Sequence, residues 1–265
     1  MSADPAAVLT LAAYRFVRLV EPATWIDALS ARALEAALKG TIIVAGEGIN
    51  LFVAGMPARV EAFLSWLASD ARFVDTDGEP AFRSLAIKRS WSHRAPFGRL
   101  RIRYRAEIVT MRRGAIRPDA RRAPVVAPRR LAAWLDRGHD DDGRPVVLFD
   151  TRNAFEVEHG TFVDAQHLGL TRFESFPDAV DALPDERRAA LRDRTIVTFC
   201  TGGIRCEKAA LYLADRGYEH VLQLDGGILA YFDEVGDAHW RGDCFVFDER
   251  VALASDLRGV AEASD

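Results

Sequence analysis

Thr195-Ile196-Val197-Thr198-Phe199 is short, β-branched and apolar, which predicts a buried strand. Residues Cys206 to Arg216 carry good helix formers and stop at Gly217, which predicts a helix with a glycine C-cap. Between them lies Cys200-Thr201-Gly202-Gly203-Ile204-Arg205. A cysteine therefore sits where a strand ends and a helix begins, and two glycines let the backbone curl around it. A curled loop turns its N–H groups inward, and the following helix adds its positive N-terminal end. Arg205 contributes a permanent charge. Each of these features stabilises an anion at the Cys200 sulfur, so the thiolate is favoured and a reactive nucleophile is expected. A buried structural cysteine is the plainer reading, but it leaves the two glycines and the arginine unexplained.

A chain of 265 residues has room for two domains, and its 49% hydrophobic and 28% charged composition is that of a globular protein. Three cysteines are too few and too irregularly placed for a disulfide framework or a zinc site, so a reducing cytoplasm is the expected compartment. Residues 1–10 hold an acid and no basic stretch, unlike a signal peptide, and no apolar run reaches membrane-spanning length. The net charge of −4 conceals an asymmetry. From Arg83 to Arg130 there are fifteen Lys and Arg against two acids, Glu107 and Asp119, a net +13 in a chain whose remainder is −17. One basic segment in an acidic protein points to a polyanionic partner such as nucleic acid.

In the N-terminal half, the patterning predicts a strand at Tyr14 to Leu19, a helix at Pro22 to Lys39 and strands at Thr41 to Ala45 and Leu51 to Ala54. A turn, Gly46-Glu47-Gly48-Ile49-Asn50, joins the last two; a second helix at Pro57 to Ser69 and a strand at Ser84 to Lys88 follow. The order β-α-β-β-α-β predicts a ferredoxin-like α+β domain over residues 1–110. Arg99, Arg101, Arg103 and Arg105 alternate with Leu100, Ile102 and Tyr104, so a strand places the four arginines on one face with the apolar residues beneath. A solvated strand face is the commonest fate of such a run. Four like charges without an opposite charge make more sense against phosphates. Residues 111–128, rich in Pro and Arg, read as an interdomain linker.

Residues 129–236 alternate helices and strands: a helix at Pro128 to Arg137, strands at Val146 to Asp150, Thr195 to Phe199 and His220 to Leu224, and a helix after Asp225-Gly226-Gly227-Ile228. This predicts a doubly wound parallel sheet with ligands beyond the carboxyl ends of the strands, where Cys200 lies. Asp150 and Arg152 are expected to pair and fix loops near Cys200. His167 reads as a structural or solvated histidine, or as a titrating one. Cys244 reads as packing. Residues 237–265 form a C-terminal extension.

The loop Cys200 to Arg205 resembles the active-site loop of rhodanese domains, whose cysteine carries a persulfide sulfur. Four residues separate Cys200 from Arg205, as in sulfurtransferases; the related dual-specificity phosphatases have one more. The longer string Phe199 to Lys208 resembles the rhodanese-related tRNA uridine-34 hydroxylase family, which makes 5-hydroxyuridine at the wobble position. Asp150-Thr151-Arg152, Glu156 and Gly160 resemble the upstream rhodanese pattern. Similar segments to Glu47-Gly48-Ile49-Asn50, Pro96-Phe97, Glu107 to Met111, Phe173 to Pro177 and the tail Trp240 to Val251 occur in the hydroxylase family, so the resemblance spans Tyr14 to Leu253. The chain departs from the usual pattern at Leu51-Phe52-Val53 and at Asp164-Ala165-Gln166-His167.

The resemblance implies oxygen-dependent hydroxylation of tRNA uridine 34 at C5, with Cys200 catalytic and Thr201, Gly202, Gly203, Ile204 and Arg205 holding the charge of its sulfur. Lys88, Arg99, Arg101, Arg103 and Arg105 are the expected tRNA contacts. Molecular oxygen is the implied co-substrate. No other cofactor and no metal is evident, since the sequence lacks a facial triad, a flavin pattern and an iron–sulfur cysteine set. A plain sulfurtransferase carrying a cysteine persulfide is the main alternative. A noncatalytic tRNA-binding module is a third reading, opposed by the intact loop.

Overall fold

The structure, a computed structural model, describes residues 8–246 and 252–257. The described residues divide into two compact units, one ending at Val109 and the other starting at Thr110. In the first unit the order is β1 (Val8–Phe16), α1 (Ile26–Glu35), β2 (Lys39–Ala45), β3 (Gly48–Gly55), α2 (Pro57–Ser69), β4 (Ala86–Ser92) and β5 (Leu100–Tyr104). The strands lie side by side as β4-β1-β3-β2-β5. β1 is antiparallel to β3 and β4, and β2 is antiparallel to β3. This is the ferredoxin-like arrangement, with β5 added in parallel at the free edge of β2.

Because side chains alternate along a strand, the sheet has two distinct faces. Leu9, Leu11, Ala13, Ile42, Val44, Leu51 and Val53 point to one, where Leu29 and Ala33 of α1 and Val60, Phe63, Leu64 and Leu67 of α2 cover them. Trp25, Phe73 and Phe82 extend this core edge-on and tilted. Neither helix supplies a core residue to the other face, which carries Tyr14, Ile43, Asn50 and Phe52, all half-buried.

Several boundaries differ from the sequence reading. β1 begins at Val8 and ends at Phe16, because Val17 and Leu19 donate their N–H groups to the carbonyls of Glu47 and Gly46. The helix expected over Pro22 to Lys39 is a 3-10 turn, Pro22–Trp25, followed by α1. It stops because Ala37 turns left-handed at φ 53, which frees Lys39 to open β2. The turn between β2 and β3 is only Gly46-Glu47, and β4 runs on to Ser92. Leu100 and Ile102 of β5 pack against the core as expected, but Tyr104 is 48% exposed.

The second unit contains β6 (Val125–Val126), α3 (Pro128–Arg137), β7 (Val146–Asp150), α4 (Ala154–His159), β8 (Gly160–Phe162), β9 (Gln166–His167), α5 (Phe176–Asp181), α6 (Asp185–Arg192) and β10 (Thr195–Phe199). α7 (Ile204–Asp215), β11 (Val221–Leu224), α8 (Gly227–Glu234), β12 (Trp240–Gly242), β13 (Cys244–Phe245) and β14 (Ala252–Leu253) follow. Its main sheet, β6-β11-β10-β7-β9, is wholly parallel. The middle strand, β10, is buried at every residue, as a strand covered on both faces must be. α3 and α8 pack on one face through Leu131, Trp134, Ile228, Tyr231 and Phe232. α7 lies against β10 and β11 without joining that cluster.

Residues 111–128, read as a linker from composition, are laid onto this unit. Met111, Ile116 and Ala123 are buried, and Val125–Val126 adds a strand beside β11. The Arg content misleads because these arginines meet acidic partners supplied by the folded unit, Arg113 with Asp178 and Arg121 with Asp215 among them. In the C-terminal extension β12 pairs with β8, and Trp240 packs edge-on against Phe162 and Phe232. Residues 247–251 of the expected tail segment lie outside the described residues. Among the described residues no helix is long and apolar enough to cross a membrane.

Candidate active site

β10 ends at Phe199, and the chain then turns through Cys200-Thr201-Gly202-Gly203 into α7. Gly203 occupies the helix N-cap at φ 97, a left-handed conformation that a side chain disfavours. That conformation points the Gly203 N–H at the Cys200 sulfur, 3.2 Å away. The sulfur is buried, and burial pushes a thiol's pKa up. Here the thiol of Cys206, the charge of Arg205 and the N–H groups of Arg205 and Gly203 outweigh that cost, and Cys200 is drawn down to about 6. Cys206 is displaced the opposite way, well above an ordinary thiol, by burial and by the Cys200 anion that it serves as donor. Its sulfur also lies 3.9 Å from the Thr151 hydroxyl, which itself donates to the Phe199 carbonyl. The site thus holds one thiolate and one thiol side by side.

Arg205 does not face the sulfur alone. Its two terminal nitrogens donate to the two carboxylate oxygens of Glu156, at 2.6 and 2.8 Å. Both side chains are buried, and such a planar fork on a carboxylate fixes orientation as well as charge. Glu156 is itself held by the capping box of α4, accepting the Asn153 N–H at 3.1 Å. One step further out, Arg152 and Asp150 form a wholly buried pair. Arg152 donates to both oxygens of Asp150, at 2.9 and 2.6 Å, and to the Gly160 carbonyl at 2.6 Å, while the Thr161 hydroxyl donates to Asp150. The ring of Trp240 lies 5.4 Å from the Arg152 guanidinium carbon, which gives the C-terminal extension a place in this support.

Among the sequence-predicted residues, the structure brings Cys200, Gly203 and Arg205 together and places Asp150 and Arg152 in the supporting layer. His167 accepts the Gly169 N–H at Nδ1, which leaves Nε2–H to donate to the Arg152 carbonyl at 3.2 Å. It is a structural histidine, tied to the loop on both sides of its ring. Cys244 is buried and its thiol is pushed up to about 12 by that burial, so it stays protonated. Glu47 accepts the Ile108 N–H at 2.8 Å and serves the first unit's own architecture.

Sequence reasoning missed three contributors. Glu156 was seen only as part of a motif, and nothing in the sequence assigns it to Arg205, 49 positions away. Cys206 was assigned to the helix rather than to the sulfur. The third is the start of α8: Ile228 and Leu229 donate N–H groups to the carbonyls of Cys200 and Thr201, at 3.0 and 3.1 Å. Gly227 permits this approach, at φ 67 and with Cys200 O only 2.5 Å from where a Cβ would stand. The glycine pair after Asp225 was the available signal.

The basic segment divides in two. Arg112, Arg113, Arg117, Arg121, Arg122 and Arg130 each pair with a carboxylate of the second unit. Arg99, Arg101, Arg103 and Arg105 are exposed on the first unit, along and beside β5, with no ion pair among the described residues. Lys88 lies half-buried on β4, at the opposite edge of the same sheet. Among the described residues no group of three or more His, Cys, Asp and Glu could hold a metal ion.

The relation to known proteins fits this anatomy. The chain is 51% identical to a Burkholderia vietnamiensis protein named tRNA uridine(34) hydroxylase, over 95% of this chain and 85% of that one. The chain belongs to the tRNA uridine(34) hydroxylase family. A Cupriavidus necator protein of the same name is 50% identical over 94% of this chain and 84% of its own length. Residues 8–108 match the family described as UPF0176 acylphosphatase like domain, and residues 131–234 match the Rhodanese-like domain. A hydroxylase-family chain thus carries its rhodanese loop intact in the second unit and its exposed arginines in the first.

Removing one partner of a buried ion pair strands the other charge. Asp150→Ala should therefore cost about 3–5 kcal/mol in urea unfolding of the second unit. A loss under about 1 kcal/mol would mean that Arg152 finds other compensation.

Proposed function

We propose that this protein hydroxylates uridine 34 of tRNA at C5 in the cytoplasm, with dioxygen as co-substrate and Cys200 as the reacting group. The reading is carried by kinship along nearly the whole chain with relatives of that name, together with a Cys200 loop that has every part in place. The loop holds an anionic sulfur at neutral pH, either a thiolate or the persulfide that rhodanese loops carry. Arg205 and its Glu156 partner, Asp150 and Arg152 act as positioning residues. Arg99, Arg101, Arg103 and Arg105, with Lys88, would meet phosphates; an exposed row of unneutralised charge is what a polyanion requires. Inserting one oxygen atom of dioxygen into the C5–H bond leaves the other to become water, which takes two electrons and two protons from a reductant such as a pair of thiols that closes to a disulfide.

Nucleoside mass spectrometry of tRNA tests the activity. A deletion strain should lack 5-hydroxyuridine and regain it with the wild-type gene but not with Cys200→Ser, which is nearly isosteric yet carries no anion at neutral pH. Cys206→Ser should retain part of the modification; complete loss in both variants would point to the two sulfurs acting as a redox pair. Unchanged 5-hydroxyuridine in the deletion strain would leave the sulfurtransferase as the better reading.

The arginines are tested separately, by tRNA binding over a salt series. The Arg101→Ala/Arg103→Ala double variant should bind more weakly to every tRNA. Its salt dependence should be shallower by about 0.7–0.9 of a slope unit per lost contact. Unchanged affinity and slope would return the row to an ordinary solvated strand.

A further inference from the structure

In the second unit, α5, α6 and the turn from α7 to β11 enclose a cleft of about 290 Å³, lined by Asp181, Asp185, Arg188, Arg192, Arg216 and Tyr218 among others. None of these six bonds to the Cys200 loop or to the buried pairs that support it. We propose that the cleft binds a phosphate group, held between Arg188, Arg192 and the hydroxyl of Tyr218. A phosphate can reach it as part of the tRNA backbone or as a free phosphate ester. The first source rests on the tRNA reading and the second does not.

Three observations carry it. First, the cleft's own pairing leaves a cation over. Arg216 is fully occupied: its Nε and Nη2 donate to the two oxygens of Asp181, at 2.6 and 2.9 Å, and Nη2 also donates to the Tyr212 hydroxyl. That hydroxyl donates to Asp181 in turn, at 2.8 Å. Arg188 gives one terminal nitrogen to Asp185 at 2.8 Å, a carboxylate that is 96% exposed. Arg192 makes no hydrogen bond or ion pair among the described residues. Two carboxylates are thus matched by two arginines, and Arg192 leaves the cleft one positive charge. Second, Tyr218 is only 5% exposed, yet its hydroxyl has no hydrogen-bond partner among the described residues. A buried hydroxyl ordinarily has one. Burial pushes its pKa up, so it stays a phenol with a proton to donate. Third, the leftover donors converge. Arg188 and Arg192 are four residues apart and share one face of α6, and the charges of both act on the Tyr218 hydroxyl.

Two guanidinium groups and a hydroxyl present donors from three directions. A tetrahedral phosphate can accept on several oxygens at once, whereas a planar carboxylate presents two. The volume lies at the low end of small-ligand sites, which run from about 300 to 1,000 Å³. It suits a phosphate with its ester groups rather than a large organic molecule.

The test is amide NMR of the full chain titrated with inorganic phosphate, at an ionic strength held constant with sodium chloride. Saturable shifts should appear at the amides of Arg188, Arg192 and Tyr218. They should be absent in Arg192→Ala. In Tyr218→Phe, which keeps the ring and removes the hydroxyl, affinity should fall about tenfold. Arg192 is exposed, so its variant carries the test if Tyr218→Phe does not fold. Shifts no different from those of chloride, equal shifts with acetate, or shifts that survive in Arg192→Ala overturn the proposal. tRNA binding over a salt series then separates the sources. If the backbone enters the cleft, Arg192→Ala should weaken binding and make the salt slope shallower by about 0.7–0.9 of a unit. Tyr218→Phe should weaken binding with the slope unchanged, since a neutral hydroxyl releases no counterion. Wild-type tRNA affinity in both variants, beside phosphate shifts in the wild-type protein, assigns the cleft to a free phosphate ester. Absent phosphate shifts leave the hydroxylase reading intact, whereas unchanged 5-hydroxyuridine in the deletion strain removes the tRNA source and leaves the phosphate site standing.

Discussion

An anionic sulfur buried inside a protein is a costly object, and the second unit is arranged around meeting that cost. Burial alone drives Cys200 toward the neutral thiol. Keeping the thiolate requires donors that cannot turn away, and each donor is fixed by a different element. Gly203 is fixed by the left-handed N-cap of α7, Cys206 by the first turn of that helix, and Arg205 by its fork on Glu156. The loop's carbonyls are taken by the start of α8, so the N–H groups are left to face inward. The parallel sheet matters here because it delivers the ends of β7 and β10 and the start of α8 to one place.

Charge is handled differently in the two units. In the second, arginines are spent on carboxylates: Arg152 on Asp150, Arg205 on Glu156, Arg122 on Glu207. The two buried pairs, Arg152 with Asp150 and Arg205 with Glu156, contribute little net stability but punish the loss of either member, so they hold geometry more than they hold the fold together. In the first unit the β5 arginines stay in water with no ion pair among the described residues, where solvent and dissolved salt weaken their mutual repulsion. The same residue type thus serves as an internal clamp in one unit and as an outward offer in the other.

Elements with strong local patterns were legible in the sequence. α2, α3, β7 and β10 fall where periodicity and flanking residues put them, and the Cys200 loop is announced by its glycines. What escaped depended on partners distant in sequence. The end of β1 is set by a hairpin some thirty residues on, through the bonds of Val17 and Leu19 to Glu47 and Gly46. The docking of β5 beside β2, and the carboxylates that neutralise Arg113 and Arg121, are tertiary facts that composition alone misread as a linker and a uniform basic field. Glu156 is the sharpest case: its motif was visible, its task was not, since only the folded chain brings it to Arg205.

The central physical claim is that Cys200 is held as a thiolate by a neighbouring thiol and a caged arginine. Titration of the thiolate's ultraviolet absorbance in the full chain measures it directly, with Cys200→Ala as the blank. One thiolate should be present at neutral pH and be lost as the pH falls through about 6. Its midpoint should move upward in Cys206→Ala, where the donor thiol is gone. A midpoint at the ordinary thiol value of about 8.5, or one that Cys206→Ala leaves in place, would contradict the account.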